Sequence, residues 1–261
     1  MRILLSILLL YACINVFAQP RAAFTHISTE DGTGLASNVV HSLYQDQKGF
    51  IWVGTANGLQ RFDGSKFVSF HVSKPGYDEM PQAAVSQVIP ADSGKLMLAM
   101  VPIRSFGIFD PSNFTYKKIP IKVSRPIPAR SQFWVWKTSE GKIYITISGF
   151  GLVVYNKKQQ AFIEEDPFHL PKNWLPKTAG IFEDTIQQRY WIAADSGLCI
   201  YDKTSRKLWY RNYNPANIPA LNNPALQGHI DRVYIDRERR LWTIGWAKNN
   251  QYILCMDSTG A

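Results

Sequence analysis

The chain has 261 residues, 46% of them hydrophobic, with 3 cysteines and a formal charge of +9. So few cysteines exclude a small disulfide-stapled scaffold, so the core must be hydrophobic. The positive surplus is scattered. Its clusters, Lys157-Lys158 and Arg237, Arg239 and Arg240, fall at predicted turns and read as solvated charge in preference to an anion-binding patch.

In chain order, Arg2 precedes an apolar run from Ile3 to Ala12, and Val16-Phe17-Ala18 stands before Gln19. This pattern predicts a secretory leader over 1–18, with the mature chain starting near Gln19. The run is too short to span about 30 Å of hydrocarbon as a helix. A lipoprotein box at Leu10-Tyr11-Ala12-Cys13 is the rival reading, and bulky Tyr11 argues against it. Export in turn argues against nucleic acid as a partner. Cys199 and Cys255, both in apolar strand-like contexts, are expected to be buried free thiols.

The remainder repeats itself. Asp46-Gln47-Lys48-Gly49-Phe50-Ile51-Trp52-Val53-Gly54-Thr55, followed by Asn57-Gly58-Leu59-Gln60-Arg61-Phe62-Asp63-Gly64, reads as turn, strand, Gly turn, strand, turn. The same grammar returns around Met97, Tyr144, Trp191 and Trp242, large residues spaced 45, 47, 47 and 51 positions from Trp52 onward. A period of this size with four short strands per unit predicts propeller blades. The expected blades cover 36–72, 84–121, 133–164, 180–210 and 230–261, within one domain over 19–261, and Phe24–Ser28 is a candidate closing strand for the last. Asp starts each tight turn by bonding its own backbone and Gly supplies positive φ. Trp52, Tyr144, Trp191 and Trp242 are expected to fill the gaps between neighbouring blades.

The string Glu30-Asp31-Gly32-Thr33-Gly34-Leu35-Ala36-Ser37-Asn38-Val39-Val40, leading into the Asp46–Gly64 segment, closely resembles the two-component regulator propeller family. The resemblance implies a periplasmic sensor of a hybrid two-component histidine kinase, seven-bladed and followed in full-length members by a β-sandwich, a membrane helix and the kinase. Five repeats are visible, so an incomplete seven-bladed propeller is expected. A self-closed five-blade ring is the alternative. The sequence contains no phospho-acceptor helix, ATP-binding Gly-rich box or response-regulator acidic pocket, so the phosphorelay must lie in downstream receptor domains.

In a four-stranded meander the loops between second and third strands share one rim with the connections between blades. That rim is expected to carry Asn38, Asn57, Arg104, Arg130, Gln132, Phe150, Asp195, His229, Trp246 and Lys248. Amide, guanidinium, indole and imidazole groups together suit an oligosaccharide or related nutrient. Catalysis would need a paired acid and base, a nucleophile with its base, or a metal cluster. Asp184 or Asp195 with Glu183 are isolated candidates. Glu164-Glu165-Asp166 alternates faces on an extended chain, and the five histidines show no metal-ligand spacing. No cofactor, metal or catalytic residue is therefore expected. The reading is a periplasmic sensing propeller with no enzymatic role in this chain. A secreted carbohydrate-active hydrolase or lyase and a protein-binding propeller are the alternatives, and a homodimer stays open.

Overall fold

The computed structural model describes residues 24–71, 74–172, 174–247 and 250–257. The predicted leader and Lys248 lie outside the described residues. Among the described residues twenty strands form five sheets in succession, antiparallel but for one added edge strand. Blade one is β1 (Val40–Gln45), β2 (Ile51–Thr55), β3 (Gly58–Phe62) and β4 (Phe67–Phe70), and blade two is β5 (Gln87–Pro90), β6 (Leu96–Met100), β7 (Ser105–Asp110) and β8 (Thr115–Lys118). Blade three holds β10 (Phe133–Lys137), β11 (Ile143–Ile147), β12 (Gly151–Asn156) and β13 (Ala161–Glu164), with β9 (Ile121–Lys122) added parallel at its outer edge. Blade four is β14 (Pro176–Asp184), β15 (Arg189–Ala194), β16 (Gly197–Asp202) and β17 (Lys207–Trp209). After the short helix α1 (Pro219–Asn222), blade five is β18 (Ile230–Ile235), β19 (Leu241–Ala247) and β20 (Asn250–Met256).

The repeated turn explains the repeated sequence. Asp46 Oδ1 accepts the backbone N–H groups of Lys48 and Phe50 at 2.9 and 3.1 Å, and its Oδ2 accepts the Trp52 indole N–H at 2.8 Å. Asp236 does the same in blade five, taking the N–H groups of Glu238 and Arg240 and the indole of Trp242. One carboxylate thus closes the turn and fixes the large residue of the following strand. That strand must also approach the next blade closely: a Cβ on Gly54 would stand 2.5 Å from the Val85 carbonyl oxygen, so only glycine fits.

Consecutive innermost strands β1, β5, β10, β14 and β18 pack side by side, and each of the four junctions holds its own apolar cluster. Trp52, Met97, Tyr144 and Trp191 are buried in these junctions, at 1, 0, 3 and 6% exposure. Trp242 departs from the expectation, at 37%, because no blade covers its side of blade five. Cys255 on β20 is exposed for the same reason, while Cys199 is buried as expected. No cluster among the described residues joins blade five to blade one. Val40 and Leu43 of β1 and Tyr234 and Ile253 of blade five lie open instead. The five blades form a propeller arc with uncovered end faces.

Two further expectations change. Ile121, expected in the last strand of blade two, pairs with Phe162 of blade three, because Pro120 has no N–H to continue the ladder and instead accepts the Phe162 N–H at 2.8 Å through its carbonyl. Residues 24–29 form no strand. They are tied locally, with the Ser28 N–H on Asp31 and the Thr29 N–H on Asn38.

Candidate functional site

The second-to-third-strand loops and the inter-blade connections share one rim, and there the inner strands of blades three to five bound a cavity of about 760 Å³. Two bulged inner strands shape this mouth: the ladder slips between Pro176 and Ile181 and between Ile230 and Arg232. A bulge inserts a residue and re-aims its side chain. In blade five that residue is Asp231, and in blade four the bulge carries Lys177, Thr178 and Ala179, all lining the cavity.

Asp231 organises the site. Its Oδ1 lies 2.7 Å from His229 Nε2, and its Oδ2 accepts the Trp246 indole N–H. Burial works against the charged carboxylate, but these hydrogen bonds and the nearby Lys177 outweigh it, so the Asp231 pKa is lowered. Lys177 is itself ion-paired to Asp195. Two half-exposed indoles, Trp134 at 40% and Trp246 at 42%, border the cavity with Gln132, Arg232 and Gln251. The arrangement offers apolar faces for stacking, amide and guanidinium groups for hydroxyls or carboxylates, and a fixed imidazole–carboxylate pair. Among the described residues no group of three or more His, Cys, Asp or Glu side chains is placed to hold a metal ion.

The expected rim residues divide. Gln132, His229 and Trp246 meet in the cavity, and Asp195 adjoins it through Lys177. Arg104 is held at the rim, donating to the Pro128 and Ala129 carbonyls with its guanidinium 5.3 Å from the Phe133 ring centre, and Arg130 is exposed on the same connection. Asn38 and Asn57 tie down the segment before β1 through Thr29 and the Ala36 carbonyl. Phe150 is a correction. At 1% exposure it is a core residue of the junction between blades two and three, with the Arg125 guanidinium 4.1 Å over its ring, so it offers no face to a ligand. Trp134, Lys177, Asp231, Arg232 and Gln251 were missed because they lie on strands. A Trp in an innermost strand one residue before a Val was the one available signal.

Radial four-stranded blades around a concave, aromatic-edged mouth define a β-propeller with a ligand-sized rim cavity. Residues 34–57, which run from the segment before β1 into the turn after β2, match the family model described as two component regulator propeller, so the match falls on blade one. No curated protein matches the chain. Among solved structures it is similar to the extracellular domains of two hybrid two component systems of B. thetaiotaomicron, BT3049 and BT4673. The first aligns with a TM-score of 0.60 at 14% identity, over 91% of this chain and 31% of that one. The second aligns with a TM-score of 0.52 at 20% identity, over 78% and 26%. Virginiamycin B lyase from Staphylococcus aureus aligns with a TM-score of 0.52 at 13% identity, over 90% and 70%. At these identities the likeness establishes the fold. The chain spans less than a third of either extracellular domain.

Proposed function

We propose that this chain is the ligand-sensing propeller region of an exported hybrid two-component sensor, and that the rim cavity takes an oligosaccharide or related nutrient. The observation that carries the reading is the cavity of about 760 Å³ edged by Trp134 and Trp246 and organised by Asp231. Its volume lies in the range of small-molecule sites, and stacking faces beside convergent polar groups suit a pyranose ring. The family match on blade one and the sensor-like fold support the same role. In this reading the leader at 1–18 directs the chain to the periplasm, and receptor domains elsewhere relay the signal as ligand shifts the propeller's packing against them.

The test is isothermal calorimetry of the chain against neutral and acidic oligosaccharides, repeated with Trp134→Ala and Trp246→Ala. Binding of one sugar class that both substitutions weaken is the expected result. The His229–Asp231 pair is the feature that favours a catalytic reading. Mass analysis of the same sugars after prolonged incubation separates the two: unchanged sugar supports sensing, and cleaved or unsaturated products support an enzyme.

A further inference from the structure

On the opposite face, where the first-to-second and third-to-fourth strand turns lie, blades two and three bound a cleft of about 810 Å³. Its walls hold Lys95, Lys117, Lys142, Lys157 and Lys158 and four carboxylates, Asp92, Asp110, Glu140 and Glu165. Every carboxylate has a partner: Asp92 pairs with Lys157, Asp110 with Lys95 at 3.2 Å, Glu140 with Lys203 at 3.1 Å, and Glu165 accepts the Tyr144 hydroxyl at 3.3 Å. Lys117, Lys142 and Lys158 have no ion-pair partner among the described residues. The cleft therefore gathers three ammonium groups without an ion-pair partner over an apolar floor that includes Ile108 and Ile143, and their charge is offset in part by Glu165, whose partner is a neutral hydroxyl, and by Glu140, which shares Lys203 with Glu183.

We infer that this cleft is a second binding site, separate from the rim cavity, for an acidic oligosaccharide with spaced anionic groups. Three unpaired cations in a concave site attract anions, and concavity strengthens that field. The partnered carboxylates between them repel a ligand of dense charge, such as a polyphosphate, but can accept hydroxyl hydrogens. A sugar chain whose carboxylates alternate with hydroxyls meets both requirements. Lys157-Lys158, read from sequence as solvated turn charge, thus becomes part of a cleft wall once blades two and three are packed.

The experiment is calorimetry of the chain with oligogalacturonate, and with maltohexaose as the neutral control. Three variants separate the outcomes: K117Q/K142Q/K158Q in the cleft, K48Q/K66Q/K207Q as an exposed set of equal charge change, and W134A/W246A at the rim. The inference predicts oligogalacturonate binding that the cleft variant weakens at least about tenfold, with the other two variants unchanged and affinity restored in K117R/K142R/K158R. Equal losses in both lysine triples would mean attraction by net charge alone and would overturn it. Loss only in W134A/W246A would assign the acidic sugar to the rim, leaving the proposed function standing and this inference refuted. Absence of oligogalacturonate binding would refute it as well.

Discussion

Asp184, at the end of the innermost strand of blade four, is ion-paired and doubly hydrogen-bonded to Arg239 in the first turn of blade five. The side chain of Asp184 is 1% exposed and that of Arg239 31%. A carboxylate so deeply buried is stable only while its cation stays, so this pair locks one blade to the next. Its neighbour Glu183 locks blade four to blade three in the same manner, accepting the Ser139 N–H at 2.7 Å and hydroxyl at 2.6 Å. Adjacent residues on one strand, facing opposite ways, therefore hold both neighbouring blades.

Arg239→Ala should destabilise the chain by about 2–3 kcal/mol, because it leaves the Asp184 carboxylate buried and unpaired, somewhat less than for a fully buried pair. Asp184→Asn/Arg239→Gln should recover part of that loss. Urea denaturation followed by tryptophan fluorescence measures both.

Acid stability follows from the same groups. Burial opposes the Asp184 charge, yet the Arg239 hydrogen bonds prevail and its pKa is lowered, while the Trp242 indole and Arg240 bring Asp236 down to about 2. A depressed carboxylate contributes stability above its unfolded pKa of about 3.9 and loses it as pH falls through the folded value. The chain should hold its stability down to about pH 4 and lose it between about pH 4 and 2. Asp184→Asn and Asp236→Asn should each flatten that stretch of the acid-unfolding curve read by circular dichroism.

Trp52 and Trp242 occupy equivalent places and differ in cover. Trp52→Ala should cost about 3–5 kcal/mol, the range for emptying a packed aromatic site. Trp242→Ala should cost far less, because 37% of the residue is already exposed. A cost for Trp242 equal to that for Trp52 would mean that another surface covers blade five in solution.

The two described cysteines should differ in reactivity. Burial pushes the Cys199 thiol up to about 12, and Cys255 is exposed, so a maleimide should label Cys255 in the native chain and Cys199 only after unfolding. Peptide mass mapping distinguishes the two sites.

The blade repeat was legible because each unit encodes it locally: Asp46 and Asp236 close their own turns, and the following Trp sits six positions on in both. What eluded the sequence depends on partners far along the chain. Phe150 looked like a loop aromatic until blade two covered it, and Trp242 looked like core where no blade covers it. Asp231 enters the rim cavity through a strand bulge, which shifts the ladder without a sequence mark. Ile121 changes blades because Pro120 ends one ladder and its carbonyl begins another.

The most direct test of the rim site is a thermal-shift measurement of the chain with neutral and acidic oligosaccharides, alongside Trp134→Ala/Trp246→Ala. A ligand that binds only the folded state stabilises it by about 2.7 kcal/mol at a hundredfold excess over Kd. The account predicts a cooperative transition that one sugar class raises and that the double substitution returns to its unliganded midpoint. If every upward shift survived loss of both indoles, or no sugar gave a shift, the rim site would be contradicted.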